Sequence, residues 1–348
     1  MLVPDYYPKF RCKCGECRHC CCSGWGITVS FSEYCRLLGL DCSEKLRRKL
    51  DCAFFILRDA DEERYAKLKP NYLGACPLQD ENGLCSLQCE CGEEVLPSIC
   101  RTYPRNLLYP EYGEGACALS CEKVVEMLFE ETDGVKLVSY GDADDRELPL
   151  QKKSVEILQN RAVSLSERLI NLGQFLSDDR REPAQSSPEE VFRTVTELVF
   201  LLESYSRSFS EYSIIAEEDL GIVNGVYDDE QVRARYKIAN EKFRLRYPLS
   251  EIYFENVLIN HIIFERFPYS ANETPFEKYA ELCGVYAVMR FVAVAYTENK
   301  PEKTALVDCI SGMFRCFEHS DADGAIKTAL KRAGKMSFSY LYSIVKSV

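Results

Sequence analysis

Cysteine is the residue type whose number and spacing in this 348-residue chain point to chemistry. Sixteen of the 19 cysteines lie at or before Cys121, and only Cys283, Cys309 and Cys316 follow it. Thiolates at short spacings bind zinc ions and iron–sulfur clusters, whereas cysteines in secreted proteins form disulfides. The segregation predicts one region that is built around sulfur and a second region that is not.

The densest cysteine segment, residues 12–22, reads CKCGECRHCCC. A C-x2-C-x2-C run that ends at Cys20 is typical of the opening of a ferredoxin motif. It overlaps a C-x3-C-C run that starts at Cys17, and spacing alone does not choose between the two frames. The odd cysteine count argues against disulfides, as do the consecutive cysteines, which bridge one another only with strain. An iron–sulfur cluster is therefore favoured, with zinc as the alternative.

Five sequence blocks, in this order, resemble the flagellin lysine N-methylase family, a group of cysteine-cluster proteins described as zinc- or iron-chelating. The blocks are Pro4-Asp-Tyr-Tyr7, Cys17-x3-Cys21-Cys22-x-Gly24-Trp25, Cys76-Pro-Leu…Gly-Leu-Cys85, Cys100-Arg-Thr-Tyr103-Pro-Arg105 and Leu119-Ser-Cys121. They cover residues 4–121, and the rest of the chain resembles the family only in length and helical character.

The resemblance implies an iron–sulfur cluster, of the 4Fe-4S type, and methyl transfer from S-adenosylmethionine to lysine side chains of flagellin. The cysteines at family positions, and hence the implied metal ligands, are Cys12, Cys17, Cys21, Cys22, Cys76, Cys85, Cys100 and Cys121. Eight thiols exceed the four that one cluster needs, so either two centres are present or half of the set is structural. The additional cysteines leave a second metal site open, with a buried structural role as the simpler interpretation.

Four other residues within the matched blocks are candidates for the methyl-transfer site. A lysine must lose its proton before it attacks a methyl sulfonium, and Tyr103 and Arg105 are the candidate catalytic residues for orienting the amine. Arg101 and Arg105 suit the carboxylate of S-adenosylmethionine, and Trp25 suits stacking over a cofactor. Packing or surface ion pairing is the alternative for each. Because the chain lacks a glycine-rich nucleotide fingerprint, the methyl donor is implied by the resemblance alone.

The remainder of the sequence predicts mainly α-structure with a small β contribution. Apolar residues repeat at helical spacing over residues 158–176 and again over 191–205, and these two helices are expected to form an antiparallel pair. Thr274 opens a capping box ahead of another apolar helix. Residues 27–31 and 135–140 read as short strands. We predict a cysteine-cluster domain over residues 1–145 and a helical domain over residues 146–348.

Composition excludes several functional classes. A net charge of −12 does not suit general binding to the phosphate backbone of nucleic acids. No basic start followed by an apolar run opens the chain, so no signal peptide is expected. The most apolar stretch, residues 280–296, is short for a membrane span and contains Glu281 and Arg290. A cytoplasmic protein without membrane insertion is predicted. A non-catalytic iron–sulfur or zinc-binding module, or an interaction scaffold, is the alternative to a methylase.

Overall fold

A computed structural model describes residues 2–24, 26–105, 115–140, 148–177, 186–300 and 302–348. The chain forms two compact units. One unit, Arg11–Arg105, is called the cysteine unit below, because it holds 14 of the 19 cysteines. The other unit consists of Met1–Phe10 and Asn106–Val348 and is called the helical unit. The predicted fold class, mainly α with a little β-structure, is confirmed.

The described residues form five short strands and fifteen α-helices. In chain order they are β1 (Leu2–Pro4), β2 (Thr28–Val29), α1 (Phe31–Leu38), α2 (Glu44–Ala53), β3 (Phe54–Ile56), β4 (Ala66–Leu68), α3 (Ser86–Cys91), α4 (Ser98–Thr102), α5 (Glu122–Glu130), β5 (Leu137–Ser139), α6 (Pro149–Leu158), α7 (Leu165–Leu176), α8 (Pro188–Glu203), α9 (Arg207–Leu220), α10 (Asp229–Arg246), α11 (Ser250–Phe264), α12 (Pro275–Tyr296), α13 (Lys303–Phe317), α14 (Ala322–Arg332) and α15 (Phe338–Ser347).

The cysteine unit has a small apolar core beside a three-stranded antiparallel sheet of order β2-β4-β3. The predicted strand within residues 27–31 is confirmed as β2. Helix α1 begins with a capping box, in which Ser30 and Glu33 satisfy each other's backbone N–H groups. The buried residues of this core are Leu37, Leu46, Leu50, Ala53, Leu68, Cys76, Leu78, Leu87 and Leu96. Such a core is small for the independent stability of a domain.

Helix α12 forms the centre of the helical unit. It starts at the predicted capping box of Thr274 and Glu277, and every residue from Tyr279 to Ala295 is buried. A helix that is apolar on all sides needs neighbours on all sides, and α12 packs against α7, α8, α9, α10, α13, α14 and α15. It is long and apolar enough to cross a membrane, but 94% of its apolar window is buried inside the protein, as in the core helix of a globular domain.

The predicted helix over residues 158–176 is wrong, because two helices cover this region. Helix α6 ends at Leu158, and a turn precedes α7. Ser164 and Glu167 form a capping box that starts a new helix there, so the repeat of leucines continues across a break. The predicted antiparallel pair is also replaced: α7 and α8 each pack against α12 and α15.

The N-terminal residues belong to the helical unit through a sheet and a buried hydrogen-bond network. Strand β1 pairs antiparallel with β5, which confirms the predicted strand within residues 135–140. The buried Tyr6 hydroxyl donates to Asn260 Oδ1 and accepts from the backbone N–H of Cys117 at 3.1 Å. Asn260 Nδ2 in turn donates to the Cys117 carbonyl at 2.9 Å. Tyr6, which lies in the first family block, therefore has a structural role.

The compact units divide at Arg105 and Asn106, whereas the sequence places the domain boundary at residues 145 and 146. The difference arises because α5 packs against α11 and α13, so the segment that follows the cysteine blocks is part of the helical unit. Cys283, Cys309 and Cys316 are each fully buried in this unit, where they serve as small apolar side chains.

Candidate metal centre

Three consecutive cysteines in a turn form the most compact group of thiols in the cysteine unit. The Sγ atoms of Cys20, Cys21 and Cys22 all lie within 4.8 Å of one another. Cys20 Sγ accepts hydrogen bonds from the backbone N–H of Cys22 at 3.3 Å and from Gln79 Nε2 at 3.2 Å. In the part of the chain that the structure describes, no other three Cys, His, Asp or Glu side chains form such a group of potential metal ligands.

The protonation of these thiols follows from their contacts with one another. Hydrogen bonds from the Cys21 and Cys22 side chains lower the pKa of Cys20 to about 2. The same contact with Cys20 raises the pKa of Cys21 and of Cys22. The Cys20 thiolate thus accepts hydrogen bonds from two neighbouring thiols. A metal cation that displaced those two protons would be bound by three thiolates at once, which is the donor chemistry of zinc and iron–sulfur sites.

A second group of thiols comprises Cys76, Cys85 and Cys100. Burial raises the pKa of Cys76 to about 11, and the nearby Cys85 and Cys20 thiols contribute. Burial likewise raises the pKa of Cys100 to about 12, with contributions from Cys76 and Cys85. Both Cys20 and Cys85 raise the pKa of Cys76, so the two groups of thiols are close enough to interact electrostatically.

Backbone contacts fix the two thiol groups to each other. The N–H of Cys76 donates to the Cys22 carbonyl at 2.7 Å, and Ser23 forms an antiparallel bridge with Ala75. Gly15 lies so close to the turn before Cys85 that a Cβ atom there would come within 2.7 Å of the Asn82 carbonyl oxygen. The glycine within the first cysteine segment therefore allows that segment to approach the Cys85 loop.

The helix that carries Cys100 is held by charged residues of α1. The Glu33 carboxylate, already part of a capping box, accepts from the N–H of Ser98 at 2.6 Å. Arg36 donates to the Leu96 carbonyl at 3.3 Å. Together these bonds attach the first turn of α4, and hence Cys100, to α1. Cys22, Cys85 and Cys100 all pack against the small apolar core, so the core and the candidate ligands form a continuous structure.

The structure brings together five of the eight predicted ligands and adds one that the family pattern omits. Cys21 and Cys22 lie beside Cys20, and Cys76, Cys85 and Cys100 form the second group. Cys20 lies outside the eight family positions, although the C-x2-C-x2-C frame ends on it. That frame is the sequence signal that identifies Cys20 as a candidate ligand.

The remaining three predicted ligands are Cys12, Cys17 and Cys121. Cys12 is exposed and accepts from the N–H of Cys14 at 3.2 Å, and it contributes to the raised pKa of Cys21. Cys17 is half-buried and ends a 3₁₀ turn. Cys121 precedes α5 in the helical unit. The backbone N–H groups of Leu119 and Ser120, just before it, donate to the carboxylate of the half-buried Glu318.

The predicted methyl-transfer residues lie at and beyond the end of α4. Arg101 is exposed in the last turn, with its guanidinium 3.8 Å from the Glu94 carboxylate. Tyr103 ends the helix and donates its N–H to the Ile99 carbonyl, and the N–H of Arg105 donates to the Thr102 carbonyl at 2.8 Å. Trp25 lies outside the described residues. The roles of these four residues stay predictions.

The donor set fits a metal. Two zinc–sulfur bonds of about 2.3 Å allow sulfur separations of up to about 4.6 Å, which matches the spacing of Cys20, Cys21 and Cys22. Thiolates are equally the ligands of iron–sulfur clusters. With six thiols in one neighbourhood, the cysteine unit supplies enough donors for either group.

Comparison with known proteins finds similarity to lysine methylases. Residues 184–344 match the model of the FliB lysine N-methylase C-terminal domain. Two proteins named lysine-N-methylase, from Salmonella typhimurium and Salmonella choleraesuis, are each 27% identical over 136 residues, which are 38% of this chain and 33% of theirs. The flagellar biosynthetic protein FliU of Salmonella muenchen is 26% identical over 136 residues, or 38% of this chain and 79% of its own.

The match thus spans about a third of the length of the two Salmonella lysine-N-methylases. No solved structure matches the chain. The family match covers helices α8–α14 and most of α15, whereas the cysteine blocks that resemble the same family lie in the other part of the chain. Two separate regions of the chain are thus similar to the FliB lysine N-methylase family.

Proposed function

We propose that this chain is a protein lysine N-methylase that acts on flagellin in the cytoplasm, with S-adenosylmethionine as the methyl donor and an iron–sulfur cluster in the cysteine unit. The observation that carries the proposal is the match of residues 184–344 to the FliB lysine N-methylase C-terminal domain. The relatives named lysine-N-methylase support the activity, and the relative named flagellar biosynthetic protein supports a flagellar substrate.

The proposed cluster ligands come from the two thiol groups, Cys20 to Cys22 and Cys76, Cys85 and Cys100. A bound cluster would supply a fixed, electron-rich centre on which the small core of the cysteine unit is organised. Transfer of a methyl group from a sulfonium to an amine is a direct displacement, so the amine nitrogen and the sulfonium are its only obligatory reactants. The residues of the chain serve to bind and orient those two reactants.

The residues proposed for that task are those that the sequence indicated. Among the described residues, the exposed guanidinium of Arg101 has a single long ion-pair contact, with Glu94, so it has hydrogen-bond donors to offer a carboxylate such as that of S-adenosylmethionine. Arg105 follows in the same segment, and Tyr103 between them is proposed to orient the lysine amine. Trp25 is proposed to stack on the donor. An Arg101→Gln variant should raise the KM for the donor more than it lowers kcat.

The test combines metal analysis with a transfer assay. The chain is purified without oxygen, its iron, zinc and acid-labile sulfide are measured, and it is incubated with flagellin and S-adenosylmethionine that carries a labelled methyl group. We expect about four irons with matching sulfide and label on flagellin lysines, found by mass spectrometry. Flagellin in which the labelled lysines are changed to arginine is the control. Absence of label with a fully metal-loaded protein would refute the methylase proposal.

A structural zinc site is the second candidate function of the cysteine unit. The spacing of the three adjacent sulfurs, which suits a single shared ion, favours it. In that case metal analysis would give zinc without sulfide, and the unit would serve as a metal-stabilised binding module. Zinc together with label on flagellin would leave the methylase proposal standing and remove only the iron–sulfur cluster.

A further inference from the structure

The helical unit contains a small cavity lined by charged side chains. Its volume is about 10 Å³, the size of one water molecule. It lies among α11, α12 and α14. Its lining residues are His261, Glu265, Phe267, Lys278, Glu281, Leu282 and Asp323. So many ionisable groups around so small a space are unusual in a helical core, where buried charges are normally paired.

Two lysines neutralise only part of the negative charge around this cavity. Lys278 pairs with Glu281 and, at 3.9 Å, with Glu273. Lys327 pairs with Glu273 and, at 3.0 Å, with Glu281. These four side chains balance one another. Among the described residues, Glu265 and Asp323 form no salt bridge with a lysine or arginine, so the cavity has surplus negative charge when these two carboxylates are ionised and His261 is neutral.

His261 lines the cavity and has an unused nitrogen. It is 4% exposed, and its Nε2 lies 3.5 Å from Asp323 Oδ2. Its Nδ1 has no hydrogen-bond partner, and neither does Asp323 Oδ1. Burial lowers the pKa of His261, but the contact with Asp323 outweighs burial and raises it. In the neutral form of the ring, with the Nε2 proton directed at Asp323, Nδ1 is an acceptor. Leaving buried polar atoms without partners is costly, and here both atoms are acceptors beside surplus negative charge. A cationic hydrogen-bond donor would satisfy both.

The spacing of the acceptors favours an ammonium group over a metal ion. Metal ligands must crowd around one small ion, and in the described part of the chain only Cys20, Cys21 and Cys22 are grouped closely enough. An ammonium group donates three hydrogen bonds of about 2.8 Å each, so its acceptors lie farther apart, and its volume is close to that of water. Phe267 and Leu282 add apolar walls, which suit the methylene stem of a lysine.

We propose that this cavity binds the terminal ammonium group of a lysine side chain, with His261, Glu265 and Asp323 as its hydrogen-bond acceptors. Glu265 and Asp323 are partly exposed, so the acceptors border the solvent from which a lysine would enter. That this lysine belongs to the methylated protein rests on the proposed function, and the ammonium group bound here would still have to lose its proton before methyl transfer. The cavity lies within residues 184–344, the region that matches the lysine N-methylase domain, and it assigns substrate binding to residues outside the cysteine blocks.

The test uses nuclear magnetic resonance on the full chain labelled with ¹⁵N-histidine. The chain has three histidines, so the spectrum is simple, and a His261→Gln variant assigns the signals of His261. The probe is n-butylammonium chloride, and n-butanol is the neutral analogue of the same shape. We expect the His261 ring signals to move with butylammonium and to stay in place with butanol. A Glu265→Gln variant should weaken the response about tenfold, as expected for the loss of one charge-assisted bond.

A matched variant checks that the effect is local. Glu217, also buried but on α9 and outside the cavity, is changed to glutamine, and its response to butylammonium should equal that of the unchanged chain. Far-UV circular dichroism verifies that each variant is folded. An equal response to butanol, an unmoved His261 signal, or binding of Mn²⁺ or Zn²⁺ at His261 without any response to butylammonium would overturn the proposal.

The flagellin assay separates this inference from the proposed function. A His261 response without methyl transfer would retain the ammonium site and refute the methylase. Methyl transfer that is unaffected by Glu265→Gln, together with an unmoved His261 signal, would retain the methylase and refute the site.

Discussion

The two compact units of this chain are stabilised by different means. The helical unit surrounds α12 with seven helices and buries aromatic and aliphatic residues on every side of it. The cysteine unit has a small core that consists mostly of leucines, and thiols border that core where further apolar residues would be expected. A small domain that cannot bury enough apolar surface commonly relies on metal or disulfide cross-links. The difference between the units indicates that the cysteines stabilise the fold of the cysteine unit in addition to offering metal ligands.

Metal removal should have the largest effect and should act on one unit only. Treatment with a chelator, or a Cys22→Ala substitution, should abolish cooperative folding of Arg11–Arg105, because metal-binding free energy is folding free energy in such domains. Hydrogen exchange with mass spectrometry should show lost protection throughout the cysteine unit, with the helical unit still protected.

A Cys316→Ala variant is the control for this experiment. Cys316 is fully buried in the helical unit, so the variant should keep its full metal content. Undiminished protection of residues 11–105 after complete metal removal would break the comparison between the two units.

Truncation of the central aromatic cluster should act on the other unit. Phe291 on α12 is fully buried, stacks on Tyr236 with ring centroids 5.2 Å apart and meets Phe192 edge-on. A Phe291→Ala variant should lose about 3–5 kcal/mol of unfolding free energy, through lost burial and a residual cavity. Denaturant unfolding followed by tyrosine fluorescence measures this loss, and the metal content should stay unchanged.

Leu245 on α10 provides the matched comparison, since its side chain is 85% exposed. Leu245→Ala should change the unfolding free energy by less than about 0.5 kcal/mol. Similar losses for the two variants would show that the helical unit does not depend on its core as described.

The buried network of Tyr6, Asn260 and Cys117 should have a moderate effect. Asn260→Ala removes the acceptor of the Tyr6 hydroxyl proton and the side-chain donor to the Cys117 carbonyl in a buried site, so we expect a loss of about 2–3 kcal/mol. Asn299, which is exposed and donates to Asp219 at 2.9 Å, is the control, and its change to alanine should cost well under 1 kcal/mol. Equal shifts of the melting temperature in both variants would contradict this role for the network.

The pH dependence of the helical unit should show the smallest effect. Burial, with the nearby Glu203, raises the pKa of Glu217 from 4.5 to about 8. The fold therefore favours the protonated acid, and this contribution to stability is complete below pH 4.5 and is lost as the pH rises through 8. From pH 7 to 8 the unfolding free energy should fall by up to about 1 kcal/mol more in the unchanged chain than in Glu217→Gln, which stays neutral. Parallel pH profiles would refute this assignment.

Local signals in the sequence predict where a helix of the helical unit starts, but they predict poorly which helices pack against each other. The capping box of Thr274 fixes the start of α12 correctly, since this signal depends only on neighbouring residues. The leucine repeat over residues 158–176 does not predict a single helix correctly, because the helical spacing continues across the turn after α6. The capping box of Ser164 and Glu167 starts a new helix there. Pairing of α7 with α8 fails for another reason: α12 offers a larger apolar surface to both.

The sequence predicts that cysteines form the candidate metal centre, but it predicts less well which cysteines lie together. The family pattern identifies Cys22, Cys76 and Cys100 as candidates, and the structure places them near one another. Cys20 is missed because two overlapping frames compete for the same segment, and only the fold shows which sulfurs meet. The cavity around His261 has no signal in the sequence, because its residues come from three helices that are brought together by packing alone.

The pairing of β1 with β5 has a consequence for the order of folding. Leu2 meets Ser139, and the whole cysteine unit lies in the intervening loop. Closing so long a loop carries an entropic cost that grows with the length of flexible chain inside it. A cysteine unit that has already condensed on its metal shortens that flexible length, so metal loading would lower the kinetic barrier to long-range assembly of the helical unit. The metal would then speed the assembly of the helical unit through chain entropy.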